Sequence, residues 1–524
     1  MTGAKAYPVE MISPAKSQPL PSGSKLPAYK RPLTIAIFAA LILLVVGVTL
    51  LAVKWPFTQR TITAELESAT SGLVQIHGFR VKYFPPGCVI DGVELRQTNN
   101  GPPLLTAAKL TIRANYRGLF HKRIEVIHLE DVRVDMAQRA RHSGAPNGIA
   151  TTSSATIAEI VVDQGVIEFP RKERPPLQFK VPRLTLGNFV EGRPTSFHFT
   201  LDNPLPPGRV RVDGQFGPWN SSDVAATPLS GAYTFTDAKL RSLRGIAGTL
   251  SSKGSFAGPA KALRVQGTTD TPDYVVNSAG HPVHLRTEFQ AVVNCTNGDL
   301  DLQSIRGQFE KTVFAVAGPV AGKTNPRSKV ASLQVNDPGG RVEDWLRLLA
   351  PDAIPPMTGP ISFQARVTIP GGPRPFIRRV LLVGDFELTG VEFAKEESQR
   401  GASELSLRAQ GQKVPDAQEP LPKTAARLAG HVELVDGVAN FSRLTFTLPG
   451  AAANVRGTYS FNDKRIDLHG QLRVDTKFSK TASGPKALFT RATEALWAKS
   501  KGDGEILPVK MTGTYDHPSY GLDK

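Results

Sequence analysis

The chain has 524 residues, a formal net charge of +17 and a pI of about 9.8. It contains only two cysteines, Cys88 and Cys295, so a disulfide framework is excluded, although these two could pair with each other in an oxidising compartment. The basic residues are spread singly along strand-like segments with acids between them. This distribution argues against nucleic acid as a partner and favours an anionic membrane surface or simple solubility.

The N-terminal region predicts one membrane-spanning helix. Residues 33–53 contain neither charge nor proline. As a helix, this segment is long enough to span a hydrocarbon core of about 30 Å. Residues 1–32 are rich in Pro, Ser and Lys and predict a disordered tail, and their excess of basic residues places it in the cytoplasm. An uncleaved signal anchor fits better than a cleaved signal, whose apolar core is shorter. The predicted membrane-anchor residues are Leu33, Ile35, Leu41, Leu44, Val53 and Trp55.

Beyond the anchor, a short amphipathic helix is predicted over 58–70, with Ile62, Leu66 and Ala69 on one face. The hydrophobic period then changes to two, which predicts strands within 73–136 that break at Pro85-Pro86-Gly87 and at Asp91-Gly92. Residues 137–156 predict a polar loop or a disordered insert.

From residue 157 onward, apolar and polar residues alternate, as in antiparallel strands that bury one face. Turn signals separate the strands, among them one at 337–340. Leu405 and Leu407 are assigned to a strand, and later helices are predicted only at 341–349 and 487–499. The clearest alternating positions, which are the candidate lining of an apolar groove, are Phe197, Phe199, Leu201, Val210, Val212, Phe216, Tyr233 and Phe235.

The fold class expected from these patterns is mainly β. A single N-terminal transmembrane helix precedes an elongated antiparallel β-sheet, folded into a groove or a sandwich, with a few short helices. Alternating strands are equally required by a sandwich core, so the sequence leaves open whether the apolar face meets another sheet or a ligand.

The motifs that carry chemistry are weak. Residues 317–324 fit a relaxed phosphate-loop pattern, but a strand rather than a helix is predicted after the lysine, which favours a hairpin loop. His281 and His284 have no accompanying cluster of metal ligands, and Cys88 has no candidate base nearby. We therefore expect no catalytic, metal or cofactor site.

Several segments together resemble the AsmA family of bacterial envelope proteins. They are LVQIHGFRVKYFPPGCVIDGVELR at 73–96, FHFTLDNPLPPGRVRVDGQFGPWN at 197–220, CTNGDLDLQSIRGQF at 295–309, and ALFTRATEALW at 487–497 followed by LPVKMTGTYDHPSYGLD at 507–523. The resemblance implies an N-terminal AsmA-like region at 54–136, a tandem β repeat region at 157–336 and an AsmA-like C-terminal domain at 337–524.

The resemblance also implies a location and a function. The expected location is the inner membrane of a Gram-negative bacterium, with the N-terminus in the cytoplasm and the bulk of the chain in the periplasm. The expected function is in outer-membrane biogenesis, by binding or conducting phospholipid along an apolar groove. Membrane phospholipids are the expected partner, and Ile62, Leu66 and Ala69 mark the expected lipid entrance. The alternative is a non-catalytic scaffold that contacts outer-membrane assembly proteins.

Overall fold

The computed structural model describes residues 56–70, 72–98, 101–121, 123–135, 156–171, 174–190, 192–218, 220, 223–243, 245–276, 281–322, 329–349, 354–372, 374–412, 414–415, 421, 423–475, 506–514 and 517–523. Residues Gln59–Lys524 form one compact unit, separate from the unit that ends at Thr58. The predicted membrane anchor 33–53, with Trp55, and the predicted helix 487–499 lie outside the described residues.

The described part is mainly β, with few helices. The helices are α1 (Gln59–Thr70), α2 (Tyr116–Phe120), α3 (Val342–Leu349), α4 (Phe376–Arg379) and α5 (Glu396–Ala409), with single 3₁₀ turns at Val224–Ala226, Leu240–Ser242 and Ala260–Ala262. The strands of the first half are β1 (Leu73–Lys82), β2 (Gly87–Arg96), β3 (Leu105–Arg113), β4 (Arg123–Asp135), β5 (Thr156–Arg171), β6 (Arg174–Phe189), β7 (Thr195–Pro204), β8 (Pro207–Phe216), β9 (Pro228–Lys239), β10 (Ile246–Ala247), β11 (Thr249–Pro259) and β12 (Leu263–Val276). Those of the second half are β13 (Val283–Asn294), β14 (Asp299–Phe309), β15 (Thr312–Ala321), β16 (Val330–Arg341), β17 (Met357–Thr358), β18 (Pro360–Ile369), β19 (Leu381–Phe393), β20 (Ala426–Val435), β21 (Val438–Leu448), β22 (Ala451–Ser460), β23 (Arg465–Val474), β24 (Ile506–Thr514) and β25 (Pro518–Leu522).

The strands form one large, open sheet of 25 strands. Each long strand pairs with the next one along the chain, and the two-residue strands β10 and β17 pair at the ends of β12 and β19. The prediction of an antiparallel sheet is confirmed for nearly all pairs and is wrong for β4 and β5, which are parallel. A parallel connection needs a dozen or more residues, and residues 136–155 between these strands are enough for it.

Apart from the connection between the parallel strands β4 and β5, pairing in chain order places successive connections alternately at two rims of the sheet. The connections at the first rim are 83–86, 114–122, 190–194, 217–227, 260–262, 295–298, 322–329, 370–380, 436–437, 461–464 and 515–517. Their described residues carry the cations Arg117, Arg193, Lys261, Lys329, Arg374, Arg378, Arg379 and Lys464 against the carboxylates Asp223, Asp436 and Asp463. We call it the basic rim. The opposite rim carries α3 and α5, and we call it the helical rim.

The helices pack mainly on the second half of the sheet. Buried residues of α3 and α5, including Val342, Ala402 and Ala409, form one core cluster with β19–β23 residues such as Leu388 and Val474. Trp345 and Leu348 of α3 pack on a second cluster that draws on β12–β15. At the basic rim, Phe376 and Ile377 of α4 pack on a third cluster, formed by residues from β18 to β22. This half of the sheet therefore has an ordinary closed core.

Several local predictions can be compared with these elements. The helices predicted over 58–70 and 341–349 are confirmed as α1 and α3, and the turn at Pro85-Pro86 is confirmed. The strand assigned to Leu405 and Leu407 is wrong, because both lie in α5. The small residues Ala402, Ser406 and Ala409 recur at helical spacing and form the buried face of that helix.

Two predicted turns are instead irregularities inside strands. Asp91-Gly92 lies within β2, where Gly92 takes a positive φ of 71° and the chain continues as a strand. Residues 337–340 lie within β16, where the register against β18 shifts between Asp337 and Gly340. A bulge absorbs the extra residues there without ending the strand.

The bulge in β16 also anchors α3. The Asp337 carboxylate is 1% exposed and accepts hydrogen bonds from the Gly339 and Gly340 amides at 3.0 and 2.6 Å. Its other oxygen accepts a bond from the Trp345 indole at 2.6 Å. The Trp345 ring packs edge-on against aromatic rings of three strands, with centroid distances of 5.0, 5.6 and 5.0 Å to Phe309, Phe314 and Phe363. One buried acid thus fixes the helix to the sheet.

Replacing Asp337 with Ala should destabilise the unit by about 2–4 kcal/mol, because three donors, of which the Gly340 amide is buried and the other two are partly buried, lose their acceptor. The measurement is chemical unfolding followed by tryptophan fluorescence. Asp385→Ala is the control, since Asp385 is exposed and its bond to His431 should contribute little. An Asp337 variant as stable as this control would contradict the anchoring role.

Candidate functional site

The register of the sheet aligns one residue from each long strand into a single row, which we call the central row. Each neighbouring pair in it is a direct cross-strand pair. The row contains Phe79, Ile90, Leu110, Leu129, Val162, Leu184, Phe199, Val212, Tyr233, Gly254, Gly267, Phe289, Ile305, Val316, Val335, Ala365, Gly384, Val432, Phe441, Gly457, Leu468 and Met511. Every member is apolar, aromatic or glycine, so one face of the sheet is apolar from β1 to β24.

A second row on the same face, two residues closer to the basic rim, has the same character. It runs through Cys88, Ile112, Ile127, Ile160, Leu186, Phe197, Gly214, Gly231, Phe256, Val265, Ala291, Leu302 and Gly318. The apolar face is therefore at least two residues wide along these strands. Since side chains two apart in a strand share a face, the two rows form one continuous surface.

The opposite face of the sheet is charged. The row one residue away runs through Asp91, Lys109, Glu130, Asp163, Arg183, Thr200, Arg211, Thr234, Lys253, Thr268, Glu288 and Arg306. Direct ion pairs form along it, such as Lys109–Glu130 at 2.6 Å. This face is suited to water, and the apolar face must be covered by something else.

The structure brings the eight candidate groove residues together on the apolar face. Phe199, Val212 and Tyr233 lie in the central row, while Leu201, Val210 and Phe235 form the next row toward the helical rim. Phe197 belongs to the second row, and its ring centroid lies 5.9 Å from Phe199 and 6.2 Å from Phe216. The alternation in the sequence thus identified one face of three neighbouring strands.

Burial along this face differs from one part of the sheet to another. Of the eight candidate residues on β7–β9, only Val212 is buried, and the other seven keep part of their surface accessible. Fully covered side chains occur on β2, where Ile90 of the central row is 0% exposed, and in the clusters under α3, α4 and α5, with Val391 and Val474 as examples. The apolar face is thus partly accessible over β7–β9.

The aromatic rings of the apolar face lie over glycines of neighbouring strands. An ideal Cβ at Gly214 would be 2.8 Å from Cζ of Phe197, and one at Gly231 would be 2.8 Å from Cζ of Phe256. Tyr233 extends across two strands, since Cβ atoms at Gly254 and Gly267 would each lie 2.9 Å from its ring or hydroxyl. The missing side chains let the rings lie flat on the sheet. Sequence reasoning missed these glycines, although they alternate with the apolar residues in β11 and β12.

A few hydroxyl groups interrupt the apolar face without introducing charge. The Tyr233 hydroxyl lies 3.1 Å from Oγ of Ser252, which in turn donates to the Thr268 carbonyl at 3.0 Å. Burial raises the pKa of Tyr233, and the bond to Ser252 offsets part of this effect. Thr269 and Thr287, in the same row as Ser252, bond each other at 2.7 Å. These groups satisfy one another, so the surface offers mainly dispersion and hydrophobic contacts.

The other candidate chemical groups are placed as follows. The first residues of the phosphate-loop-like segment lie in strand β15, and the next described element is strand β16. His284 is 2.6 Å from the exposed Asp270 carboxylate, and no group of metal-ligating side chains occurs in the described part of the chain. Of the predicted lipid entrance, Ile62 is buried and Leu66 is half-buried, while the Ala69 side chain lies outside the described residues.

The two cysteines are not paired with each other. Cys88 is buried in β2, and Cys295 is exposed after β13. Burial raises the pKa of the Cys88 thiol to about 11, with a backbone hydrogen bond from Ile112 acting weakly in the other direction. Cys88 therefore has little thiolate at neutral pH.

The native chain should consequently show one reactive thiol and the denatured chain two. At pH 8 a thiol with a pKa of about 11 is thiolate in only about one molecule in a thousand, and burial also excludes the reagent. Titration with a thiol-specific chromogenic reagent measures both numbers, and Cys295→Ser should abolish the native signal. A non-reducing sample without any titratable thiol would show instead that the two cysteines are oxidised.

Comparison with known proteins provides no template for this face. The chain matches no protein-family model, no curated protein and no solved structure. Among the described residues, no helix combines the length and the hydrophobicity that crossing a membrane requires. The function of this chain therefore has to be inferred from its sheet.

Proposed function

We propose that the chain binds or conducts phospholipid along the apolar face of its sheet. The observation that carries the proposal is the central row, which stays uncharged through every long strand from β1 to β24. A sandwich needs an apolar face only where a second layer covers it. Over β7–β9 the same face continues with accessible side chains, which is where acyl chains would lie.

The dimensions and the chemistry suit this cargo. Neighbouring strands are about 4.8 Å apart, so the central row follows a path on the order of 100 Å across the sheet. Each acyl methylene kept out of water is worth about 0.8 kcal/mol, and an uninterrupted row offers equivalent contacts at each step. Rings that lie flat on Gly214, Gly231 and Gly254 leave space above the sheet for such chains.

The basic rim supplies the complement for the head groups. Its loop residues carry more cations than carboxylates. A cavity of about 370 Å³ at the ends of β18–β20 is lined by Arg374, Arg378 and Arg379 and by one carboxylate, that of Asp436, which lies 3.8 Å from Arg374. The Arg379 guanidinium is held by the Pro370 and Arg374 carbonyls at 2.8 and 3.0 Å. Phosphate head groups would stay in water along this rim while their acyl chains contact the apolar face.

The cellular setting follows the resemblance to the AsmA family and the apolar run 33–53. An inner-membrane anchor would hold one end of the sheet at a source of phospholipid, with the remainder of the chain in the periplasm. The role would be in outer-membrane biogenesis. Direct contact with outer-membrane assembly proteins is the competing role, and the experiments below separate the two.

Photo-crosslinking from a residue on the apolar face tests whether the cargo is phospholipid. Benzoylphenylalanine at Phe235, on the apolar face, should give a phospholipid adduct in intact cells, because an acyl chain would lie within reach of its ketone. The same group at Thr234, the next residue, should not, because its side chain is on the charged face. The readout is mass spectrometry of the purified full-length chain. Protein adducts at Phe235, with no lipid adduct, would support the scaffold role.

Placing a charge in the row tests whether the face must remain apolar. Once the lipid bound at the anchor is subtracted, Phe199→Asp should lower the amount of phospholipid that co-purifies with the full-length chain at least about tenfold. The reason is that a carboxylate among acyl chains costs several kcal/mol. Thr200→Asp, on the charged face, should leave the amount of co-purified phospholipid unchanged. This variant also serves as the reference for lipid that is bound outside the apolar face. Circular dichroism checks the fold. If Phe199→Asp unfolds the sheet, Phe199 belongs to a closed core.

A further inference from the structure

Four exposed aromatic side chains cluster at one corner of the basic rim. Phe84 is 88% exposed, Phe120 is 83% exposed and Tyr83 is 62% exposed, while Tyr116 is also exposed. They lie in the turn between β1 and β2 and in α2, before β4. We call residues 82–86 and 116–121 together with Arg123 the aromatic tip.

The aromatic tip is held in place by its own contacts. The Tyr116 hydroxyl donates to the Tyr83 carbonyl, and the Phe84 and Tyr116 rings are 6.4 Å apart. Pro86 is fully buried, and its carbonyl accepts a bond from the Ala114 amide at 2.8 Å. Asn115 caps α2 through a bond from the Gly118 amide. The exposed rings therefore belong to a turn and a helix that are braced by hydrogen bonds within the protein.

Cations surround these rings. Lys82, Arg117 and Arg123 are exposed, and none has a carboxylate within ion-pair distance among the described residues. Glu125 and Glu159 line a cavity beside the tip, together with Pro85 and Arg113. Elsewhere in the sheet, exposed cations commonly pair with an acid, such as Arg80 with Asp91 at 2.8 Å. Apolar rings beside unpaired cations match a surface that is both apolar and anionic.

We propose that the aromatic tip docks on the surface of an anionic lipid bilayer. Phe84 and Phe120 insert between the head groups, and Lys82, Arg117 and Arg123 contact lipid phosphates. Aromatic and basic side chains are the groups that proteins place at the membrane interface, where a ring is partly dehydrated and a cation meets negative surface potential. A protein partner would more commonly offer matching carboxylates at fixed positions. This inference concerns a surface outside the groove and does not depend on the cargo.

A single fluorophore on the full-length chain tests the docking. Cys295→Ser removes the exposed thiol and leaves buried Cys88, so that Phe84→Cys can be labelled alone with bimane. Ile354→Cys is the matched control, because Ile354 is 75% exposed but lies at the opposite, helical rim. Both chains are reconstituted into vesicles of phosphatidylcholine and phosphatidylglycerol at a ratio of about 7:3, which contain doxyl-labelled lipid as the quencher.

Bimane at position 84 should be quenched at least about threefold more strongly than bimane at position 354. The quenching at 84 should fall to the level of the control when Lys82 and Arg117 are both replaced with Glu, and in vesicles of phosphatidylcholine alone. Equal quenching at the two positions overturns the proposal, as does quenching at 84 that is independent of phosphatidylglycerol. The lipid adduct at Phe235 is a separate measurement, so failure of either proposal can be recognised by itself.

Discussion

The architecture depends on one constraint, which is that every long strand enters the sheet with the same phase. This means that the apolar side chains of every long strand lie on the same face of the sheet. A shift of one residue in any pairing would move that strand's apolar side chains to the charged face. The direct pairs Phe199–Val212, Val212–Tyr233 and Tyr233–Gly254 show how strictly the phase is kept where hairpins are short. It is also kept across the parallel pair β4–β5, where Leu129 faces Val162. Bulges occur in many strand pairs, but they do not interrupt the central row.

The same phase has different consequences in the two halves of the sheet. Where α3, α4 and α5 pack on it, the apolar face becomes a conventional core, and the buried Asp337 carboxylate ties α3 to β16 through Trp345. Over β7–β9, rings lie on glycines of the neighbouring strands and the face keeps accessible surface. The covered parts, which include β2 and β3 in the first half, supply stability, because burial is where hydrophobic free energy is realised. The accessible strands keep apolar surface available for a ligand.

The sequence predicted the repetitive part of this arrangement and missed the exceptions. A period of two over 195–239 identifies the face that carries Phe199 and Tyr233, because alternation is a local property. The parallel pair β4–β5 depends on a long connection whose path no local pattern encodes. The Asp-Gly and Pro-Gly-Gly sequences predicted turns at 91–92 and 337–340. Each segment instead stays inside its strand as an irregularity, because the strand pairs with a neighbour on both sides. Leu405 and Leu407 alternate as in a strand, yet both are helical. The reason is that the face of α5 formed by small residues packs on the sheet.

The two proposals place different demands on the same molecule, and its two rims show how both can be met. Lipid held on the apolar face requires the face to be free of charge and its basic rim to attract phosphate. Docking requires exposed rings at one corner, away from the helices that close the core at the helical rim. Phe84 and Phe120 lie at the β1 end of the basic rim, where the central row also begins with Phe79. A bilayer contacted at that corner would lie at the β1 end of the row, where Ile90 is fully buried, so its lipids would meet accessible apolar surface only further along the sheet, as over β7–β9.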